Sequence, residues 1–528
     1  MLDKDELFAS KERGRIWQKH CGFLRLPLGE FIDIQQRLLL EQIDLVADSP
    51  LGKKIIGQGK PKSVAEFRSL IPLTSYKDYQ PYLAEKREDV LAEKPYCWAH
   101  TSGREGYFKW VPYTLRDYHR LIDFMITAFI LASAAREGEV RFNPGARVML
   151  DFLPRPYIGG QIAFGLNQRV PYQAIPPLEI FEMMENEEKM EMAFKMLLGG
   201  GVDFIFGAPS TLVAIGERFT EQLEQMEFSH LTSYPSLTFR LARAMLRSKM
   251  REVKLLPCDL WTVKGIISTG SDITIYHPEI SRCWGTRPYN VYLAAEVGGI
   301  ALPSWAKRGM IFTPYSAFLE FIPEEERGSE QPATVLLDEV ESGKRYEIVI
   351  TNFYGMPFLR YRIGDIIKVV ELEDEETNIR LPHVVFESRA DEVIQISDSL
   401  WLDERKIRQA IHSSGVECED WALCQEYIPD KVVLHLYLEL KEETRNKEQI
   451  SPSYLPVIEC DGGNLMRRID ASPLKITLLY PGTFKCYYQG RQACGFAAAQ
   501  LKPHRMNAPQ SMIKELIRLS NQQPTDRM

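Results

Sequence analysis

Four short stretches of this sequence concentrate residue types that handle phosphates, metal ions and sugar hydroxyls. The first, TSGREGYFK at residues 101–109, sets small and hydroxyl-bearing residues and two glycines ahead of Lys109. Backbone N–H groups of such a loop can converge on an anion, and a lysine beside them adds a point charge. The second, YNVYLAAEVGG at 289–299, carries Glu296 between Ala295 and Val297, and ISTGSD at 267–272 precedes it. A carboxylate there is either a hard oxygen ligand for Mg²⁺ or an ordinary turn glutamate. The third, LRYRIGDIIKV at 359–369, puts Asp365 directly after Gly364. Such an aspartate either accepts two hydroxyl donors, as from a ribose, or caps a hairpin turn. The fourth, ESRADEVIQIS at 387–397, places Arg389 and Asp391 in a charged run. Taken singly, none of the four decides a chemistry.

The elements around these stretches are readable. Thr114 and Asp117 have capping-box spacing, and Tyr118, Leu121, Ile122, Met125 and Phe129 follow at helical spacing. The glycine-containing loop therefore ends near a helix N-terminus, where orphan N–H groups and the helix dipole favour phosphate. Three apolar runs, 147–152, 202–207 and 264–268, read as strands, with helices expected over 179–198 and 210–226. Gly199, Gly200 and Gly201 supply a helix C-cap and turn between them. Alternation with crossovers of this length predicts an α/β architecture with a mostly parallel sheet covered by helices, whose ligands lie beyond the strand C-terminal ends. From about Asp365 the pattern changes to α+β: IIKVVEL and HVVFESR as a hairpin around an acidic turn, a helix over 404–412, and the alternating strand VVLHLYLEL. On that strand Leu434, Leu436, Leu438 and Leu440 share one face, and His435 is expected on a solvated one. The division predicted is a large domain over 1–388 and a small one over 389–528. The acidic runs at 324–330 and 371–377 read as solvated turns.

A chain of 528 residues with 45% hydrophobic and 26% charged residues has ample material for a core and more than one domain. Its net charge of −8 argues against a general nucleic-acid binder. Nine cysteines are scattered with no C-x-x-C pair, which fits a reducing compartment rather than a disulfide framework or zinc site. The charged N-terminus lacks a secretory apolar stretch, and 124–135 is too short to span a bilayer, so a cytoplasmic protein without membrane attachment is expected. There is no G-x-S-x-G elbow and no H-E-x-x-H pattern. His100, just before the loop, is a candidate substrate contact.

In order, the four stretches resemble the acyl-adenylate-forming superfamily, whose motifs run T-S-G-T-T-G-x-P-K, Y-G-x-T-E, Y-R-x-G-D and G-R-x-D. Within it the chain is most similar to the Gretchen Hagen family of acyl acid amido synthetases. FRSLIPLTSYKDYQPYL (67–83), VDFIFGAPSTL (202–212), FYGMPFLRYRIGD, PGTF (481–484) and AQLKPHR (499–505) carry that similarity. The resemblance implies ATP-dependent activation of a carboxylic acid as an acyl-adenylate, then transfer to an amino acid-like amine. It implies that Thr101, Ser102, Gly103 and Gly106 cradle phosphates beside Lys109. Glu296 would hold Mg²⁺, Asp365 the ribose hydroxyls, and Gly270 and Ser271 with Tyr292 the adenine. Arg389 and Asp391 match the hinge at which the small domain rotates. Lys502, with Arg505 nearby, is the implied mobile cation for the α-phosphate. The acid is expected near Phe206, Trp284, Arg287 and Tyr289. Two departures stand out. Arg104 and Glu105 occupy hydroxyl positions of the loop, and Ala295 replaces a serine or threonine. Arg104 would compensate as a phosphate-binding guanidinium, while Glu105 would repel phosphate unless it turned away. Two other readings follow: an acyl-CoA ligase, taking coenzyme A as acceptor, and a degenerate, non-catalytic homologue that binds a nucleotide or partner.

Overall fold

The computed structural model describes residues 3–57, 59–100, 109–151, 154–183, 186–224, 241–244, 246, 250, 254–269, 273–397, 400–413, 416–428, 431–441, 459–460, 463–464, 474–493 and 504–522. The described residues fall into two compact units: 3–363 together with 367–386, and 364–366 together with the residues from 387 onward.

In the first unit the periodic apolar residues after Thr114 form the helix Leu115–Ser133, buried along most of its length. Thr114 Oγ1 accepts the Asp117 N–H at 3.2 Å, but the expected reciprocal half of the capping box is not made. The buried Asp117 carboxylate instead takes Arg120 Nε at 2.7 Å, a charge-assisted bond worth more than a cap to a backbone N–H. Ahead of this helix, β1 (Cys97–His100) and β2 (Trp110–Tyr113) pair antiparallel across residues 101–109.

The three predicted strand runs are all strands of one parallel sheet: β3 (Arg147–Asp151), β4 (Gln173–Ile175), β5 (Phe204–Gly207), β6 (Gly265–Ser268) and β7 (Tyr289–Asn290), ordered β4-β3-β5-β6-β7. Helices Ile158–Arg169, Asn186–Gly200, Pro209–Glu224 and Ile273–Trp284 lie between strands, as crossovers in a parallel sheet require. The single helix expected over 179–198 is two, Leu178–Phe181 and Asn186–Gly200. Gly201 does close the second: its N–H reaches Leu197 O at 2.7 Å, and its φ of +75° is the left-handed conformation a C-cap uses.

A second, larger sheet was not anticipated. It contains β8 (Tyr292–Ala294), β9 (Gly298–Leu302), β10 (Met310–Phe312), β11 (Ala317–Pro323), β12 (Arg345–Asn352), β13 (Tyr361–Glu371) and β14 (His383–Arg389), in the order β11-β12-β13-β14-β10-β9-β8. The β13–β14 pair is the predicted hairpin. Its acidic turn is not simply solvated, because Asp374 is buried at 3% exposure and its Oδ1 accepts the N–H groups of Glu376 and Thr377.

In the second unit β17 (Cys418–Ile428), numbered after β15 (Ile394–Ser397) and β16 (Leu400–Leu402), pairs antiparallel with β18 (Lys431–Leu440). The strand Leu474–Leu479 lies parallel to β18. Leu434, Leu436, Leu438 and Leu440 do share a buried face. The other face is a correction to the sequence reading: His435 is 3% exposed, not solvated. Its ring lies between Glu426 (2.5 Å), the Tyr437 hydroxyl (2.9 Å) and the Thr477 hydroxyl (2.8 Å). The face is covered because Tyr437 and Leu479 pack with Phe484, Met512, Ile513 and Leu516 of the two final helices. Buried Glu439 accepts the N–H groups of Gly482 (2.6 Å) and Phe484 (2.8 Å), so the PGTF segment is the capped start of the helix Thr483–Ala493.

Candidate active site

The residues 101–108, 270–272 and 502 lie outside the described residues, so Thr101, Ser102, Gly103, Arg104, Gly106, Gly270, Ser271 and Lys502 are named here only as sequence candidates. The remaining candidates fall into three clusters.

The first cluster joins two of the four stretches. Lys109 Nζ lies 3.5 Å from Glu296 Oε1, although the two are 187 positions apart in the chain. The Tyr361 hydroxyl donates to the same oxygen at 3.2 Å, bringing in the third stretch. The Glu296 side chain is 9% exposed and that of Lys109 is 36% exposed, so the pair sits at the edge of the protein interior. Lys109 also lies 5.3 Å from the centre of the Tyr76 ring. Burial, with the Glu296 charge adding to it, pushes the Tyr76 phenol up to about 12, leaving a neutral hydroxyl that accepts the Trp110 N–H at 2.9 Å.

The turn that presents Glu296 is held by its backbone. Tyr113 Oη donates to Ala295 O (2.5 Å), and Asn352 Nδ2 to Glu296 O (3.0 Å). Arg120 donates to Val297 O (2.5 Å) and Gly299 O (3.2 Å). Tyr113 and Asn352 are buried and the Arg120 side chain is 9% exposed, so water competes little for these bonds. Gly299 is required because a Cβ there would fall 2.1 Å from the Phe124 ring. Asn352, Tyr113 and Arg120 were missed from sequence. They act through backbone carbonyls, so no residue type in the motif announces them. Tyr292, on the preceding strand, is 6% exposed, with its ring 6.1 Å from that of Phe386.

The second cluster is Asp365 and Arg389. Asp365 is 5% exposed and follows Gly364, whose φ of +80° is the left-handed region that favours glycine. Arg389 Nη1 is 3.2 Å from Asp365 Oδ1. Asp391 lies in the short 3₁₀ turn Ala390–Glu392, which Arg389 precedes. The arginines flanking Tyr361 are engaged elsewhere: Arg360 holds Glu320 with two bonds, and Arg362 holds Glu347.

The third cluster corrects the expectation for Arg505. Its Nε lies 2.7 Å from Asp420 Oδ1 and its Nη1 2.8 Å from Glu404 Oε1, with all three side chains at most 15% exposed. The guanidinium is neutralised inside the fold and is an anchor rather than a free cation for phosphate. The backbone beside it runs along β17, with Leu423 N–H donating to Arg505 O and Ala508 N–H to Leu423 O.

The expected acid-pocket walls are also corrected. Phe206, Trp284 and Tyr289 are each 1% exposed within the hydrophobic core, and only Arg287 is exposed. His100 is 5% exposed and edge-packed on Trp110 and Tyr157, at 4.8 and 4.0 Å between centroids. Among the described residues no helix is long and apolar enough to cross a membrane.

Comparison with known proteins places parts of the chain beside one family. The GH3 family N-terminal domain matches residues 28–149, and the GH3 family central domain matches residues 310–386. The chain is 30% identical over 187 residues to the indole-3-acetic acid-amido synthetase GH3.3 of Arabidopsis thaliana, covering 33% of this chain and 30% of that protein. It is 25% identical over 244 residues to the GH3 domain-containing protein of Mus musculus, covering 42% and 43%. These matches span less than half the length of the curated relatives. Among solved structures, the AtGH3.15 acyl acid amido synthetase in complex with 2,4-DB superposes with a TM-score of 0.62 at 17% identity, covering 92% of this chain and 93% of that one. A 2-hydroxyisobutyryl-CoA ligase in the postadenylation state, in complex with 2-HIB-AMP, gives 0.60 at 14% identity, covering 94% and 93%. Residues 28–149 and 310–386 are thus similar to the N-terminal and central domains of the GH3 family, and the chain as a whole shares the fold of an acyl acid amido synthetase of known structure.

Proposed function

We propose that this protein activates a carboxylic acid with ATP and passes the acyl group to an amino acid-like amine. The observation that carries this reading is the meeting of Lys109, from the end of the candidate phosphate loop, with the buried Glu296 carboxylate. In the first half-reaction a carboxylate oxygen of the acid attacks the α-phosphorus of ATP and pyrophosphate leaves. In the second, the amine nitrogen attacks the acyl carbon, AMP leaves and the nitrogen gives up a proton. Both steps move phosphate charge, so the protein's task is to position groups and neutralise charge.

The residues divide that task. Thr101, Ser102, Gly103, Arg104 and Gly106 surround the phosphates, with Lys109 exchanging its Glu296 partner for phosphate oxygens as nucleotide enters. Glu296 suits Mg²⁺: Lys109 and Tyr361 both meet the same carboxylate oxygen, Oε1, and this ion commonly takes one or two protein carboxylates together with substrate phosphates. When bound, Mg²⁺ would supply neutralising charge at the phosphates. Asp365 takes the ribose hydroxyls once Arg389 lets go, and Gly270, Ser271 and Tyr292 border the adenine. Arg389 and Asp391 form the hinge between a large domain and a small one, and Lys502 brings a cation to the α-phosphate. Arg505, three positions beyond Lys502, anchors its own segment through Asp420 and Glu404. The protein acts in solution, in the cytoplasm.

The test is pyrophosphate release from Mg·ATP across a panel of carboxylic acids, with the wild type and Asp365→Ala side by side. The amides or thioesters formed with amino acids or coenzyme A are then identified by mass. Acid-dependent release that Asp365→Ala abolishes, followed by an amide, is the expected result. A thioester would assign the acyl-CoA ligase reading. Nucleotide binding without release for any acid would favour a non-catalytic homologue, as the Arg104, Glu105 and Ala295 departures suggest.

A further inference from the structure

The turn joining β13 to β14 carries three side chains that the reaction does not use. Glu371 ends β13, Asp374 lies in the turn, and His383 begins β14. One donor atom from each lies within 4.8 Å of the others, and His383 Nδ1 is 3.9 Å from Glu371 Oε1. The His383 side chain is 0% exposed, yet both ring nitrogens are buried without a partner at hydrogen-bond geometry. The Leu381 backbone stands near the ring without meeting that geometry. Asp374 Oδ2 is also buried without a partner at hydrogen-bond geometry, the Thr377 hydroxyl standing near the carboxylate short of that geometry. The turn's own needs are met by the other oxygen, Oδ1, which accepts from Glu376 N at 3.0 Å and Thr377 N at 3.3 Å. Arg308 approaches on that side as well, 3.7 Å from Oδ1, with its other nitrogen on Glu376.

Only one nitrogen of the buried imidazole can face the carboxylates at a time, and that nitrogen and Asp374 Oδ2 are buried polar atoms that call for something to satisfy them. In a second grouping, Asp5, His20 and Asp123, both carboxylates face cations of the protein. There Lys19 Nζ sits 2.5 Å from Asp5 and Arg169 3.0 Å from Asp123, so cations of the protein already fill it. Here the cation near the cluster, Arg308, lies 3.7 Å from Asp374 Oδ1 and is bound to Glu376.

We propose that Glu371, Asp374 and His383 bind a divalent transition-metal cation of the Zn²⁺ class, stapling the two ends of the β13–β14 turn. One imidazole nitrogen and two carboxylates suit such an ion, whereas Mg²⁺ and Ca²⁺ favour all-oxygen sites. Bonds of about 2.0 Å in a tetrahedral site put donors about 3.3 Å apart, so the cluster must contract slightly. Glu371, the one member with an exposed side chain at 41%, can swing inward to do this, and water completes the shell.

The test uses the tag-free full chain, stripped with chelator and titrated with Zn²⁺ and, separately, Mg²⁺ by calorimetry. One Zn²⁺ per chain is expected, far tighter than Mg²⁺. Glu371→Gln should weaken it by at least the roughly 10–100-fold that losing even an outer-shell partner costs, and His383→Gln by more. Should His383→Gln misfold, Glu371→Gln alone decides, because that side chain is half outside the fold. Failure of the wild type to take up one Zn²⁺ would overturn the assignment. So would Zn²⁺ binding that Glu371→Gln leaves unchanged, since the ion would then sit elsewhere.

Discussion

Replacing Arg505 by methionine distinguishes an anchoring guanidinium from a phosphate ligand. Methionine keeps most of the apolar stem but removes the charge that Asp420 meets at 2.7 Å and Glu404 at 2.8 Å. Asp420 would retain the Tyr488 hydroxyl at 3.4 Å, and Glu404 would retain Arg408 at 2.6 Å. Two carboxylates would nonetheless face one another in a space at most 15% exposed. At about 4 Å and an effective dielectric near 20, each lost attraction is about 4 kcal/mol before solvent returns. Measured losses on removing one partner of a buried pair run to about 3–5 kcal/mol. Hydrogen exchange reads this locally, without requiring the whole chain to unfold in one step. Amides of β17 and β18 should exchange roughly a hundred- to several-thousand-fold faster in Arg505→Met, since each 1.4 kcal/mol is tenfold. Removing the charges as well, with Glu404→Gln and Asp420→Asn, should restore most of the protection, because a neutral set of similar volume carries no unpaired charge. Exchange within about threefold of the wild type, together with a selective loss of pyrophosphate release, would refute the anchoring role and return Arg505 to the phosphates.

Asn352→Leu should loosen the Glu296 turn. It strands the Glu296 carbonyl and the Phe358 N–H, which Asn352 Oδ1 accepts at 3.0 Å, for a local cost of about 2–5 kcal/mol; faster exchange at the Phe358 amide checks it, and unchanged exchange counts against the clamp. The hydrogen bond from His435 holds the Glu426 carboxyl below its ordinary range. Its stabilisation is therefore present above the unfolded carboxylate pKa of about 4.3 and is lost as pH falls through the lower folded value. Glu426→Gln should flatten the acid limb of the second unit's stability below about pH 4.3, and identical limbs for the two proteins would rule the pair out as its source.

What could be read from the sequence was set by how locally each feature is encoded. The parallel sheet was legible because β3, β5 and β6 are apolar runs set between long helices, and buried strands advertise themselves that way. The seven-stranded sheet was not, because its pairings join segments far apart, such as Met310 with Val384, and no local period records a partner. His435 was misplaced for a related reason. Alternation marks one face of a strand as apolar, but it does not say that helices starting beyond residue 480 return to cover the other. At the candidate site, Lys109, Glu296 and Asp365 were visible as charged residues in glycine-rich contexts. Asn352, Tyr113 and Arg120 were not, since each donates to a main-chain carbonyl that any residue would present equally well. Arg505 was grouped with Lys502 because its partners Glu404 and Asp420 lie 101 and 85 positions away.

That same reliance on main-chain carbonyls bears on how the Glu296 segment can change over time. Its path is dictated from outside, by an asparagine, a tyrosine and an arginine rooted in other elements. The identities within it are largely released from the duty of shaping it, Gly299 against Phe124 and Gly298 at a φ of +73° excepted. A lineage can therefore trade a hydroxyl for a methyl at Ala295, or regain it, with the carboxylate next door still held in register. Drift in the letters of such a segment is a poor guide to whether its geometry survives, and Ala295→Thr is a substitution this scaffold should accept with its frame intact.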